Sequence, residues 1–197
     1  ALAAAALAER CDEPVVVVLP RPADFDEYVD DLQTFLGRSV DAFPAWDTLP
    51  QETDITDLVF GRRLRTLQRL QSNAPPEVIV TTIAALMQPT PSRAELAEGT
   101  RRIGVGDELD QEEFQNWLTS RSFALVTGIQ LPGEFAVRGG IVDVYPPDRE
   151  DPLRIEFFGD EIESIRQFDV ESQRTFESED AVDIVVVSPA QQNDKTT

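Results

Sequence analysis

The stretch GEFAVRGGIVDVYPPDREDPLRIEFF, residues 133–158, decides the reading of this chain, together with GDEIESIRQFD, residues 159–169, which follows it directly. Side chains on a strand alternate between two faces, so the adjacent Phe157 and Phe158 cannot both enter one core. Leu153, Ile155 and Phe157 share a face and form the natural core set, which leaves Arg154, Glu156 and Phe158 on the other. The preceding segment repeats the pattern, with Phe135 and Val137 pointing one way and Glu134, Ala136 and Arg138 the other. Two strands therefore each present an arginine outward, and one adds a phenylalanine. The pattern fits a solvated strand face with one half-exposed ring under a neighbouring loop. It also fits a protein-docking face, because arginine and aromatic side chains dominate binding energy at interface centres. Composition leaves both readings open.

Working outward, Gly139-Gly140 marks a bend or bulge beside Arg138, and Gly159-Asp160 supplies turn chemistry between two strands. The strands of this half are read as Phe123 to Ile129, Gly133 to Arg138, Ile141 to Tyr145, Leu153 to Phe158 and Glu161 to Phe168. A last apolar strand, Ile184 to Val187, is compatible with closing this sheet or returning to an earlier one. A helix precedes them: Asp110 and Glu113 form a capping-box pattern, Leu109 staples onto Phe114, and Phe114, Trp117 and Leu118 make its buried stripe. The boundary with the first half is placed near Glu98 to Arg102, after the proline-rich connection Pro89 to Pro91.

The first half has the rhythm of an α/β layer. A short helix within Ala1 to Arg10 is followed by Val15 to Leu19, apolar at every position and so expected as a buried strand of a parallel sheet. Asp24 and Glu27 give a capping-box pattern before Phe25, Val29, Leu32 and Leu36, and Gly37 supplies the stop. A strand at Val40 to Phe43 leads into a proline-flanked loop in which Trp46 is expected to pin the loop to the domain. A longer helix is expected from Thr53 or Asp54 through Phe60, Leu64 and Leu67. Its Arg62, Arg65 and Arg69 lie on another stripe and are expected to pair with nearby carboxylates. After Asn73-Ala-Pro-Pro, Val78 to Val80 reads as another short apolar strand.

The chain of 197 residues, 41% of them hydrophobic, supplies one sizeable core or two small ones. It carries 37 acidic against 17 basic residues, a formal net charge of -20, and Lys195 is the sole lysine. Such a surface repels a polyanion, since nucleic-acid affinity rests on cations that displace the counterions around phosphates. Histidine is absent, which removes the commonest general base and metal ligand. Cys11 is single, which excludes an intrachain disulfide and a cysteine-rich metal site and fits a small buried or inert thiol in a reducing cytoplasm. No apolar run approaches the roughly 18 residues that a membrane span needs. A phosphate loop ending in Gly-Lys-Ser/Thr is absent too. Asp30-Asp31 and Glu112-Glu113 read as solvated helix faces, and Asp143 has no evident partner in the sequence. The residues therefore propose no catalytic site.

The blocks GEFAVRGGIVDVYPP (133–147), LRIEFFGDEIESIRQFDVESQRT (153–175), FPAWDTLP (43–50), RLRTLQRL (63–70), VTTIAALMQ (80–88) and VGDELD (105–110) carry a resemblance. In order and over nearly the whole chain they resemble the N-terminal, UvrB-homologous region of the bacterial transcription-repair coupling factor family. The resemblance implies a degenerate RecA- or helicase-like parallel α/β layer over residues 1–100, similar to UvrB domain 1a but without a phosphate loop. It implies a smaller α+β module with a mainly antiparallel sheet over 101–190, the UvrA-binding domain 2, and a polar tail over 191–197. Docking onto UvrA, the damage-recognition subunit of nucleotide excision repair, would use two arginines and a phenylalanine. Carried over by position these fall on Arg138 in AVRGG and on Arg154 and Phe158 in LRIEFF. The resemblance implies no cofactor, metal or catalysis for this region and a cytoplasmic location. The resemblance implies that RNA polymerase and DNA would be engaged only through domains absent from this stretch. The tyrosine-rich, DNA-probing hairpin of UvrB has no counterpart in AWDTLPQETD (45–54). The alternative, a piece of a UvrB-like ATP-dependent helicase, requires a phosphate loop upstream of Ala1.

The charge balance makes a direct prediction. A mobility-shift titration with duplex or single-stranded DNA at low salt is expected to show no retained complex, and a shifted band would contradict it.

Overall fold

The computed structural model describes residues 1–47 and 57–187. In chain order the elements of the first half are α1 (Leu2–Ala8), β1 (Val15–Leu19), a 3-10 turn (Pro22–Asp24), α2 (Phe25–Leu36), β2 (Asp41–Phe43), α3 (Leu58–Gln71), β3 (Val78–Thr82) and α4 (Ile83–Leu86). Then come α5 (Arg93–Glu98), β4 (Thr100–Gly104), α6 (Gln111–Ser120), β5 (Ala124–Leu125), β6 (Glu134–Arg138), β7 (Ile141–Val144), β8 (Leu153–Phe158), β9 (Glu161–Phe168), β10 (Thr175–Ser178) and β11 (Ala181–Val185). The described residues divide into two compact units, 1–47 with 62–90 and 57–61 with 91–187.

The first unit is a RecA-like parallel α/β layer with strand order β1-β3-β2. α2 buries Phe25, Val29 and Leu32, spaced one helical turn apart. Gly37 ends it in the left-handed region at φ +66, where a side chain would be strained, and returns its N–H to Gln33 O. The expected capping box at Asp24 does not form. Asp24 is itself in a helical conformation at the end of the 3-10 turn, and its carboxylate accepts from Arg21 Nε instead. β3 is buried along its whole length, but β1 is not covered on both faces as its apolar run predicts: Val16 and Val18 are 53% and 43% exposed. The reason is position. β1 is an edge strand, and the helix on that face, α3, packs Leu67 with Phe43 of β2 and Ile79 of β3.

Of the α3 arginines, Arg62 pairs with Asp26 and Arg69 with Asp41. Burial pushes the Asp41 carboxyl up from its ordinary range, and Arg69 beside it partly offsets that rise. The expected helix start at Thr53 or Asp54 lies outside the described residues; among those described, the Asp57 carboxylate accepts from the Val59 and Phe60 amides. Arg63 lies on the buried stripe with Leu64 and Leu67 and is 2% exposed. Its guanidinium is sandwiched between the rings of Phe43 and Trp46, 4.1 Å from each centroid, and donates to Pro44 O, Pro89 O and Gln88 Oε1. Burial lowers its pKa to about 10, so it stays a cation at neutral pH. Desolvating an ion costs several kcal/mol, and two ring faces at roughly 2 kcal/mol each when desolvated, with charge-assisted bonds to carbonyls, offset that cost. Gln88 completes the arrangement by accepting from Trp46 N and donating to Trp46 O. Trp46 is buried and its loop is held in place by Arg63 and Gln88.

The second unit holds a six-stranded sheet of order β10-β9-β8-β7-β6-β5, antiparallel except for the β5–β6 pair. α6 starts at Asp110, whose carboxylate accepts from Glu113 N; Glu113 turns its own carboxylate to Arg101, so only half of the capping box forms. Leu109, Phe114 and Leu118 join Phe135, Val142, Leu153, Ile155 and Ile165 in the main core. The strand expected over Phe123 to Ile129 shortens to β5, and Ile129 instead packs with Ala136 and Phe168, on the sheet face away from the main core. The last strand joins neither large sheet, because β11 pairs with β4 in a separate antiparallel ribbon.

Arg63→Ala is expected to lower the stability of the first unit by about 2–4 kcal/mol, by opening a cavity and stranding two carbonyls. Urea unfolding followed by Trp46 fluorescence in a Trp117→Phe background measures it, and an unmoved midpoint would contradict the role given to Arg63.

Candidate docking face

The register of β6 to β9 fixes which side chains share a face. Ala136 pairs with Asp143, Asp143 with Arg154 and Arg154 with Arg166; the next row runs Arg138, Ile141, Glu156 and Ser164. Direct cross-strand partners lie on one face, so Arg138 and Arg154 stand on the same side of the sheet, two strands or roughly 10 Å apart. Phe158 ends β8 on that side, opposite Glu161. Both hairpins that frame this end use a two-residue turn whose first position has positive φ, Gly139 at +62 and Gly159 at +65, the pattern of a II′ turn. Gly140 is glycine for a different reason, since a Cβ there would lie 2.8 Å from Phe157 O. A register shift between Glu156 and Phe157 leaves the alternation intact, with Phe157 in the core and Phe158 80% exposed.

The three residues differ in what holds them. Phe158 projects its ring into solvent. Arg138 is exposed and makes one long contact, Nη2 to Thr127 O at 3.3 Å, and no ion pair of Arg138 is seen among the described residues. Arg154 is 16% exposed and bound. Its Nε and Nη2 donate to the two carboxylate oxygens of Asp143 at 2.7 and 2.9 Å, and its guanidinium lies 4.5 Å from the centre of the Phe168 ring. The hydrogen bond to Asp143 raises the Arg154 pKa above its ordinary value. Asp143, without an evident partner in the sequence, is thus buried in a bidentate pair. The signal was the i and j pairing of adjacent strands, which parity alone does not supply. Glu156, in the row of Arg138, is taken up by Ser164 and Arg166.

This face is therefore not uniformly solvated. Ile129, Ala136 and Phe168 form a second small core on it, with Val126 and Tyr145 packed alongside. Beside that core a cleft of about 510 Å³ is lined by residues 128–130, Arg138, Val170, Glu171 and Gln173. Among the described residues no group of three or more His, Cys, Asp or Glu side chains is placed to hold a metal ion. No helix among them is long and apolar enough to cross a membrane.

Residues 102–192, which include this face, match the family described as the UvrB interaction domain. The transcription-repair-coupling factor of Mycobacterium tuberculosis is 36% identical over 182 residues, covering 88% of this chain and 14% of the relative. That of Escherichia coli is 31% identical over 182 residues, covering 92% of this chain and 16% of the relative. That of Bacillus subtilis is 29% identical over 181 residues, covering 91% and 15%. The chain thus spans between 14% and 16% of the length of these relatives.

The geometry separates the three variants by stability. Arg154→Ala leaves Asp143 buried without its counter-ion and is expected to cost about 3–5 kcal/mol in the second unit. Arg138→Ala and Phe158→Ala, at exposed positions, are expected to stay within about 0.5 kcal/mol of the parent. Urea unfolding followed by Trp117 fluorescence distinguishes these outcomes.

Proposed function

Since this chain belongs to the transcription-repair-coupling factor family as a UvrB-homology region, we propose that it is a docking module that recruits UvrA to stalled RNA polymerase during nucleotide excision repair. The observation that carries this reading is the 80% exposed ring of Phe158 on the same sheet face as the exposed guanidinium of Arg138. A solvent-facing phenylalanine has unfavourable hydration that a partner pocket relieves. Arg138 adds a directional cation in a chain of net charge -20, where acidic residues outnumber basic ones 37 to 17. Arg154 belongs to the same face.

The chemistry asked of this region is recognition. UvrA would be held by the face of β6 and β8 while other parts of the full-length protein act on polymerase and DNA. The acidic surface fits a module whose partner is a protein rather than a phosphate backbone. A cytoplasmic site of action follows from that role.

Arg138→Ala and Phe158→Ala are each expected to weaken UvrA binding by about 1–3 kcal/mol, or roughly 5- to 150-fold in affinity. Calorimetric titration of UvrA with each variant and the parent decides the matter. Parent-like affinity in both would place the docking surface elsewhere.

A further inference from the structure

We propose that Arg154 supports the docking face from within. It acts with buried Asp143 as a positioning pair that holds the turn between β9 and β10 over the sheet, rather than offering its guanidinium to the partner. The inference rests on the docking reading and refines the part each residue plays in it.

The hydrogen-bond inventory of Arg154 carries the argument. A guanidinium has five N–H donors in a rigid fork. The two best aligned with a carboxylate go to Asp143, which β7 holds in the sheet and which is 3% exposed. Two of the other three reach one residue of the turn: Nη1 lies 3.4 Å from Gln173 O and Nη2 3.4 Å from Gln173 Oε1. Phe168 covers one face of the group at 4.5 Å. What remains is 16% of the side chain in contact with solvent, a poor anchor beside Phe158.

The turn is in a conformation that needs holding. Gln173 has φ +59, a region that strains a side-chain-bearing residue and persists where surroundings over-determine it. Here those surroundings include Gln173 N to Asp169 O at 2.8 Å, Gln173 Nε2 to Val170 O at 2.8 Å, and Ser172 N to the Asp169 carboxylate at 2.8 Å. These bonds are all internal to the turn. Arg154 adds contacts that tie it to the middle of the sheet. Val170 and Gln173 in turn line the cleft next to Arg138, with Ile129 on its lining as well. A chain of contacts thus runs from Asp143 on β7 through Arg154 on β8 to the lining of the cleft.

The test compares Asp143→Asn and Arg154→Lys with the parent chain, by hydrogen exchange at the amides of residues 169–174 and by calorimetric titration with UvrA. Asp143 is too deep to touch a partner, and lysine keeps the charge on the face but cannot fork. The pair predicts that both variants speed exchange in the turn about ten-fold or more and weaken UvrA binding by roughly 5- to 20-fold. Asp143→Asn binding UvrA as tightly as the parent or more tightly, as release of a partner-directed guanidinium would cause, overturns the proposal. So does unchanged exchange in the turn. Should either variant fail to fold by circular dichroism, Gln173→Ala replaces it: the strained backbone and the buried pair stay, the Oε1 contact is lost, and the same faster exchange and weaker binding are expected, with parent-like values overturning the proposal. If the parent itself does not bind UvrA, the docking reading fails, and exchange in the turn still judges the positioning pair.

Discussion

A carboxylate on β7, held by both of its oxygens in the fork of an arginine on β8, sets the conditions for the outer half of the second unit. Removing two charges from water is tolerable only when geometry and neighbouring hydrogen bonds are nearly complete. Asp143 and Arg154 meet that condition with a bidentate pair, an aromatic ring against the cation and further oxygens from Gln173. The register of β7 on β8 follows, since a slip of one residue would place a valine opposite Arg154 and leave the carboxylate alone. With the register fixed, Phe157 enters the core and Phe158 faces outward.

The first unit solves a related problem differently. Arg63 has ring faces and carbonyl oxygens around it where Arg154 has a carboxylate. Both arginines fasten loops, the segment around Trp46 in one unit and the turn after β9 in the other. In a chain with 37 acidic residues, most of the exposed arginines that pair do so at the surface and contribute little to stability individually. Arg63 and Arg154, both largely covered, matter more because their neighbours have no water to fall back on.

Much of this was legible in the sequence. Two-residue alternation placed Leu153, Ile155 and Phe157 inward and Arg154 and Phe158 outward, and the parallel layer with its antiparallel companion follows from the order of the segments. Longer-range partners were not legible. Asp143 looked solitary because its counter-ion stands eleven positions away and is brought near only by a hairpin register. The run from Phe123 looked like a long strand because Ile129 is apolar, yet Ile129 is needed over Ala136 and Phe168 rather than in the ladder. Val15 to Leu19 looked fully buried because hydropathy records what a strand could cover and not how many neighbours a sheet supplies. Arg63 could have been found: it lies one position before Leu64 and four before Leu67, on the apolar stripe rather than on that of Arg62, Arg65 and Arg69.

The uncovered flank of β1 has a further consequence. A strand of valines at the border of a small sheet offers unsatisfied amides and apolar side chains together, the combination that lets like strands zip into aggregates. Its flanking residues Asp12, Glu13, Pro14 and Pro20 neither donate amides freely nor welcome a second anionic copy. Colloidal integrity of the molecule is thereby entrusted to mutual repulsion, which added salt screens.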